Sequence, residues 1–295
     1  MEIFFGDANN AEARVYARLD EAGLPSGCSL AGRVVGPTCE YSRTLSAAIP
    51  FTERRTPSIE GSRGTSPRLA EAIVPDPCFW SQELPFLYLA EIELRCGGER
   101  LAAVERQFGI RPLGARKRQI VWEARPWVLR AAETRELPMR PLSDWRAADL
   151  ALISENPGDD LCREASRLGT VLIADVTVES DQVVDELRRL ARWPAVVVAI
   201  VDSAQTVNAK ARVVARNLLL AERLAGNSLP SPWADLVVCP GSSDEQITAL
   251  GRQIAVPVAV ERAAGWCDEL ADARRHCDLL QRDLAGHGDF AGYLV

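Results

Sequence analysis

PDPCFWSQELPFLYLAEIEL (residues 75–94) and ERQFGIRPLGARKRQIVWEARPWVLRAA (residues 105–132) decide the fold of this chain. They contain, in order, a turn rich in Pro and Trp, a strand of alternating character, the tetrapeptide FGIR, and a second apolar strand that ends in LRAA. Before this stretch the apolar runs are short and separated by Gly and Pro, whereas after it they alternate with helical patterns. The stretch therefore predicts the passage from a β domain to an α/β domain.

Residues 1–116 predict an all-β domain. Glu12–Asp20 alternates between apolar and polar residues, as a half-buried strand does. Leu87–Arg95 and Leu101–Gly109 flank a Gly-Gly turn and predict a hairpin. Further strands are predicted at Ser29–Val35, Tyr41–Ile49 and Leu69–Val74, and the polar segment Thr52–Pro67 predicts an exposed loop. Six or seven short strands over about 110 residues are typical of an immunoglobulin-like sandwich.

Residues 117–295 predict parallel βα units. The apolar runs that predict strands are Trp127–Ala131, Leu150–Ser154, Val171–Val176, Val196–Val201, Asn217–Leu220, Leu236–Cys239, Val256–Val260 and Phe290–Val295. Helices are predicted between them at Asp160–Gly169, which Asp159 precedes, and at Gln182–Trp193, Glu245–Leu250 and Trp266–Leu284. Eight strands fit a (β/α)8 barrel, but such barrels usually take about 200–250 residues. We therefore expect a shortened barrel.

Composition and charge limit the partners and the compartment. The net charge of −7 and the pI near 5.1 argue against nucleic acid and anionic membranes as partners. No apolar run is long enough to span a membrane, and no signal peptide is visible, so a cytoplasmic protein is expected. The eight cysteines are scattered without a CxxC pair, and only two histidines are present. We expect small buried cysteines rather than disulfides, no metal site and no cofactor.

The 75–132 stretch resembles the junction of family 2 glycoside hydrolases, where a sandwich is followed by a TIM barrel. The residues that carry the resemblance are the turn Pro77–Ser81 with its Phe79–Trp80 pair, then Leu84–Pro85 and Leu87–Tyr88, and finally Phe108–Arg111. In the family these residues are structural, so the resemblance implies a fold and not an activity. It also implies where two catalytic glutamates should lie, one an acid/base and one a nucleophile, at the carboxyl ends of barrel strands.

The first three barrel strands only partly match the pattern that the resemblance implies for a sugar pocket. Arg130 persists on the first strand, but the Gly and His expected after it are missing. On the second strand Ser154 fits, while Glu155 stands where a His is expected. Asp175 occupies the acidic position at the end of the third strand. Arg130, Ser154 and Glu155 are therefore the candidates for a substrate pocket.

The two glutamates of the family are not found at their expected places. The fourth strand opens with Pro194, but the acid/base position ten residues later holds Ala204, and Asp202 is the nearest carboxylate. On the seventh strand Arg262 holds the nucleophile position and Glu261 precedes it by one residue. Alternation along a strand then predicts that Glu261 points to the opposite face, unless a bulge returns it to the pocket. The alternative role for Glu261 is a strand-end ion pair with an arginine such as Arg262.

The sequence leaves three hypotheses open. The first is a family 2 glycoside hydrolase-like protein that has lost hydrolysis and acts as a carbohydrate-binding or scaffold module. The second is an active O-glycosidase with a rearranged pair, with Glu261 as nucleophile and Asp202 or Asp175 as acid/base. The third is a protein-interaction scaffold without affinity for sugars. The loss of several site motifs together favours the first hypothesis, with a carbohydrate or a protein as partner.

Overall fold

The computed structural model of the 295-residue chain divides into two compact units, Met1–Ile110 and Arg111–Val295. It describes residues 1–19, 27–54, 68–133, 140–205, 207, 209–225, 228–241, 247–249, 253–262, 267 and 269–295. The sequence placed the domain boundary after Arg116, whereas the chain separates after Ile110, inside the FGIR motif. Each unit is built around its own sheets.

The first unit contains two antiparallel four-stranded sheets. Its strands are β1 (Glu2–Ala8), β2 (Glu12–Leu19), β3 (Cys28–Thr38), β4 (Ala47–Pro50), β5 (Thr52–Arg54), β6 (Arg68–Pro75), β7 (Leu87–Cys96) and β8 (Glu99–Phe108). One sheet has the order β1-β2-β6-β5 and the other β4-β3-β7-β8. Alternate residues of both sheets, among them Val15, Ala72, Leu30 and Ile92, share one apolar core. This arrangement confirms the predicted sandwich and the 87–108 hairpin.

Several details of the first unit differ from the prediction. Strand β1 was not predicted because its sequence does not alternate clearly between apolar and polar residues. The strand predicted over Tyr41–Ile49 is wrong for residues 41–46, which form no strand. Thr52–Arg54 pairs with β6 instead of lying in a loop, and the remainder of the predicted loop, residues 55–67, lies outside the described residues.

The expectation that the cysteines form no disulfide is wrong. Cys28 and Cys96 lie opposite each other on β3 and β7 and are joined by a disulfide. Directly opposed residues on neighbouring antiparallel strands approach closely enough for such a bond. The pairing could not be predicted from the sequence because 68 residues separate the two cysteines. Four of the other cysteines are buried, as expected: Cys162, Cys239, Cys267 and Cys277.

The second unit is a closed barrel of eight parallel strands. These are β12 (Leu129–Glu133), β13 (Ala151–Glu155), β14 (Leu172–Val176), β15 (Val196–Asp202), β16 (Leu219–Arg223), β17 (Leu236–Pro240), β18 (Val258–Glu261) and β19 (Gly292–Leu294). Every neighbouring pair is parallel, and β19 closes the barrel by pairing with both β12 and β18. The predicted eight-stranded parallel barrel is therefore confirmed.

Before the barrel, a small antiparallel sheet that the sequence did not predict is formed by β9 (Leu113–Arg116), β10 (Gln119–Trp122) and β11 (Arg125–Trp127).

Five helices of the second unit are α1 (Leu142–Ala147), α2 (Asp159–Leu168), α3 (Val183–Leu190), α4 (Ala209–Val214) and α5 (Leu270–Leu284). Helix α2 ends at Gly169, whose left-handed conformation (φ 76°) makes it the C-cap predicted from the sequence. Most of the helix predicted over Glu245–Leu250 lies outside the described residues. Among the described residues, no helix has the length and apolar character needed to cross a membrane.

Arg111 of the FGIR motif is buried at the amino-terminal ends of two barrel strands. Its guanidinium donates to the carbonyl oxygens of Pro194, Val196 and Asn217, the last two at 3.1 and 2.7 Å. Burial lowers the pKa of Arg111 to about 9. A buried charge requires hydrogen-bond partners of this kind, so the arginine ties the starts of β15 and β16 together. The motif that carried the family resemblance thus has a structural role.

Candidate functional site

The carboxyl ends of the barrel strands carry a ring of acidic side chains. The pairing of neighbouring strands gives residues at the ends of β12, β13, β14, β15, β16 and β18 the same side-chain parity, so that they lie on one face of the barrel, which we call the register of the ring. The acidic residues in this register are Glu133, Glu155, Asp175, Asp202 and Glu261. Arg223, at the end of β16, lies directly opposite Asp202 and is the basic member of the ring. We call this set the barrel-mouth ring.

Arg223 is the centre of the ring. Its Nη1 and Nη2 donate to the two oxygens of Asp175, both at 3.0 Å. Its Nε and Nη2 donate to the two oxygens of Glu261 at 3.1 and 3.2 Å. A further bond of 3.2 Å joins Nη1 to Asp202. One planar guanidinium therefore forms two bidentate carboxylate pairs at once, an arrangement that its fork of five donors permits.

The spacing of the two bidentate partners is that of a catalytic pair. Asp175 Oδ2 and Glu261 Oε1 accept from the two hydrogens of the same nitrogen, Arg223 Nη2. Planar guanidinium geometry then puts these two oxygens about 5 Å apart. Retaining glycosidases place their carboxyl groups about 5–5.5 Å apart, with the reacting sugar carbon between them. Here a nitrogen of Arg223 lies in that space.

Burial makes this network strong. The side chains of Arg223, Asp175 and Glu261 are 19%, 13% and 23% exposed, whereas Asp202 is half exposed. Burial alone would lower the pKa of Arg223, but its hydrogen bonds and charge interactions with Asp175 and Glu261 outweigh burial and raise that pKa. The guanidinium is therefore charged at every physiological pH. Within the described residues, the three carboxylates of Asp175, Asp202 and Glu261 contact the single cation of Arg223, so this group of four carries an excess of negative charge.

The predicted orientation of Glu261 is wrong. Counting from Pro257 put Glu261 out of register and facing away from the mouth, yet its carboxylate contacts Arg223 inside it. No register shift or bulge interrupts the pairing of β18 with β17 or β19. Strand β18 begins at Val258, one residue after Pro257. The number of residues between the proline and Glu261 therefore does not determine to which face of the strand Glu261 points. The ion-pair role foreseen for Glu261 is observed, with Arg223 as the partner.

The structure brings Glu155, Asp175, Asp202 and Glu261 to one end of the barrel but leaves Arg130 away from it. Arg130 donates to Asp278 and Gln281 of α5 at 3.0 and 2.7 Å, so it faces the helix layer.

Ser154 pairs with Ala174, one residue before the register of the ring, which also directs it outward. Glu155 accepts a bond of 2.8 Å from the hydroxyl of Thr177 at the mouth.

Arg223 and Glu133 are the members of the ring that the sequence analysis missed. The strand predicted over Asn217–Leu220 stopped short of Arg223, although β16 continues to it. The charged pair Glu222–Arg223, which directly follows the apolar run Leu218–Ala221, was the signal that could have extended the strand. Within the described residues, no three His, Cys, Asp or Glu side chains are grouped in a way that could hold a metal ion.

A comparison with protein-family models gives a match over the first part of the chain. Residues 9–111 match the family model of Glycosyl hydrolases family 2. This match confirms the resemblance to that family that the junction predicted. A comparison with curated protein sequences found no significant match.

Solved structures share the fold over nearly the whole chain. A glycosyl hydrolase family 2 member from Bacteroides cellulosilyticus DSM 14838 is similar with a TM-score of 0.67 and 13% identity, over 99% of this chain and 44% of that one. A β-D-glucuronidase from Dictyoglomus thermophilum gives 0.59 and 12%, over 99% and 60%. A β-glucuronidase from Bifidobacterium dentium gives 0.59 and 14%, over 96% and 56%. The chain thus spans about half the length of these relatives, and at this identity the similarity shows the fold alone.

Proposed function

We propose that this protein is a family 2 glycoside hydrolase-like module that binds neutral carbohydrate at the barrel mouth and does not hydrolyse it. Its finer architecture in this proposal is an immunoglobulin-like sandwich followed by a shortened (β/α)8 barrel. The observation that carries the proposal is the guanidinium of Arg223 between Asp175 and Glu261. Hydrolysis requires the anomeric carbon of the sugar to lie between two carboxyl groups, and the arginine takes that position.

The supply of a proton is the second obstacle to hydrolysis. A general acid must present a protonated oxygen to the leaving group. Both oxygens of Asp175 and both oxygens of Glu261 accept from N–H donors of Arg223, which is the bonding pattern of ionised carboxylates. The position that the family resemblance assigns to the acid/base holds Ala204, which has no proton to transfer.

The charge of the barrel-mouth ring favours neutral sugars over uronic acids. Among the described residues, the charges of Asp175, Asp202 and Glu261 outweigh that of Arg223, and this excess of negative charge repels a uronate. The same oxygens are strong acceptors for sugar hydroxyl groups, which bring no charge of their own. The ligand class in this proposal therefore differs from the glucuronides implied by the names of two similar structures.

Chromogenic β-galactoside, β-glucoside and β-glucuronide substrates test the absence of hydrolysis. We expect no release of chromophore above the buffer rate from the native protein or from the matched variant Glu261→Gln. We also expect neutral monosaccharides, but not glucuronate, to raise the melting temperature, because a ligand that binds only the native state stabilises it. Hydrolysis by the native protein would contradict the proposal. Absence of any thermal shift would favour an interaction scaffold without sugar affinity.

An active O-glycosidase is the second candidate, and the spacing of about 5 Å between Asp175 and Glu261 favours it. In this alternative a bound substrate displaces Arg223, Glu261 attacks the anomeric carbon, and Asp175 or Asp202 protonates the leaving group. A fluorosugar with an activated leaving group would then add one sugar mass to the protein. The adduct would be absent from Glu261→Gln, whereas the non-hydrolytic proposal predicts no adduct in either protein.

A further inference from the structure

A cavity of about 320 Å³ lies on the second unit at the end of the barrel opposite the mouth. It is bounded by the turn before β10, the segment 126–128 before β12, the carboxyl-terminal end of α5, and residues 288–291 before β19. Its volume is at the lower end of the range of small-ligand sites. We call it the basal cavity.

Aromatic rings form the apolar part of the basal cavity. Phe290 and Tyr293 are 7% and 3% exposed and are fixed in the wall. Trp127 is partly exposed, and its ring packs edge-on against Trp122 with the centroids 4.9 Å apart. This contact holds the Trp127 indole in place at the wall of the cavity. A fixed aromatic face is suited to the C–H face of a ring-shaped ligand.

Polar groups without partners surround these rings. Across the described part of the chain, the Tyr293 hydroxyl, the Trp127 indole N–H and the Gln119 amide form no hydrogen bond, and Asp289 forms no ion pair. Gln281 accepts from Arg130 through Oε1 at 2.7 Å, which leaves its amide N–H groups as donors.

The Tyr293 hydroxyl is the most informative of these groups. Burial raises the pKa of Tyr293, so the hydroxyl keeps its proton at neutral pH and can donate as well as accept. A side chain buried to this degree normally places its hydroxyl against a partner. In this molecule the open space of the basal cavity takes the place of that partner.

We propose that the basal cavity is a second ligand site that binds one neutral, polyhydroxylated ring such as a pyranose unit. An apolar ring face against Trp127 and Phe290, with hydroxyls on its edge, matches both parts of the wall. The donors of Trp127 and Gln281 and the acceptor Asp289 complement hydroxyl groups, which donate and accept at once. Arg118 and Asp289 bring opposite charges to the lining, so an ionic ligand gains little. The site is independent of the barrel-mouth ring and does not rest on the function proposed for it.

Ligand-observed NMR titration of the full chain with methyl β-D-galactopyranoside and methyl β-D-glucopyranoside tests this site. Tyr293→Phe removes only the hydroxyl, and Gln119→Ala changes an exposed residue that cannot disturb the core. We expect each to weaken the dissociation constant about five- to tenfold, the loss of one or two hydrogen bonds. Glu261→Gln changes only the barrel mouth and separates the two sites, whereas Glu164→Gln, on the exposed face of α2, is the matched control that should leave binding unchanged.

The outcomes separate the two sites. Binding weakened by Tyr293→Phe and Gln119→Ala but not by Glu164→Gln supports the basal cavity, whether or not Glu261→Gln also reduces binding at the mouth. Binding weakened only by Glu261→Gln overturns the inference and leaves the mouth as the sugar site. No saturation transfer to either glycoside at 100-fold excess also overturns it. A melting curve of each variant identifies loss of fold as the cause of any weakening.

Discussion

Replacement of Arg223 by methionine tests the central claim about the barrel mouth. Methionine has a similar length and no charge, so Arg223→Met removes the five hydrogen bonds to Asp175, Asp202 and Glu261 with little change in volume. It leaves two carboxylates, 13% and 23% exposed, without their cation. We expect the variant to fold but with a clearly lower free energy of unfolding.

The size of the loss follows from the geometry. Breaking a buried ion pair by removing one partner costs about 3–5 kcal/mol. Two unit charges about 5 Å apart repel each other by about 3 kcal/mol at an effective dielectric constant of about 20, which is consistent with that range. Asp202 adds little because its side chain is half exposed. We therefore expect a loss of about 3–5 kcal/mol at pH 7, and a partial recovery when Glu261→Gln is added to Arg223→Met, because this second substitution removes one of the two repelling charges.

Urea unfolding followed by tryptophan fluorescence measures this loss. Six of the seven tryptophans fall in the second unit, so the signal reports mainly the barrel. Arg130→Met is the matched control, since the Arg130 side chain is 21% exposed, close to the 19% of Arg223. Its partner Asp278 is half exposed, so this control should cost only about 1 kcal/mol.

Two results would refute the reasoning. If Arg223→Met costs no more than Arg130→Met at pH 7, the two bidentate pairs do not form in solution. If the double variant with Arg223→Met and Glu261→Gln is no more stable than Arg223→Met alone, repulsion between Asp175 and Glu261 is not the cause of the loss, and the spacing of about 5 Å inferred from their shared nitrogen is in error.

Two further predictions concern the sandwich. Replacing Cys28 and Cys96 together by alanine should lower the stability of the first unit by about 4 kcal/mol, the loop-closure value for a 68-residue separation, as measured by calorimetry. Alkylation of eight rather than six thiols in the wild-type protein unfolded without a reductant would show that the disulfide is absent. Burial would raise the pKa of Glu71, but hydrogen bonds from Arg54 and Tyr16 and the charges of Arg54 and Arg14 outweigh it and lower that pKa. The stability that Glu71 contributes is therefore present above its unfolded pKa near 4.3 and is lost as the pH falls through its lower folded value. Glu71→Gln should thus be destabilised at pH 7 and equal to the native protein near pH 2 in calorimetric melts, and an equal deficit at both pH values would contradict this assignment.

The barrel strands could be predicted because buried parallel strands are continuous apolar runs. Val196–Val201 and Leu236–Cys239 have the composition that central strands of such sheets require. The small sheet before the barrel escaped notice because its strands have three or four residues and carry exposed charges, as Arg116 and Arg125 do. Short exposed strands are stabilised by their partners more than by their own composition.

The candidate site could be predicted residue by residue but not as a network. Asp175, Asp202 and Glu261 were found because acids at strand ends are conspicuous in a sequence. The role of Arg223 depends on the meeting of four strands at one end of a closed barrel. A linear pattern contains no information on which cation will lie between two acids. The disulfide was missed for the same reason, since it depends on the register of β3 and β7.

The closing seam of the barrel has a consequence for folding. β12 and β19 pair through Leu129↔Gly292, Arg130↔Tyr293 and Ala131↔Leu294, a contact between distant parts of the chain. Pairing of such long range is entropically costly and tends to form late. Trp127 and Val128 lie on one side of this seam, and Phe290 and Tyr293 on the other, so the basal cavity exists only after the seam has formed. A ligand held there would slow the unfolding rate more than it speeds refolding, and would protect the amides of β12 and β19 from hydrogen exchange.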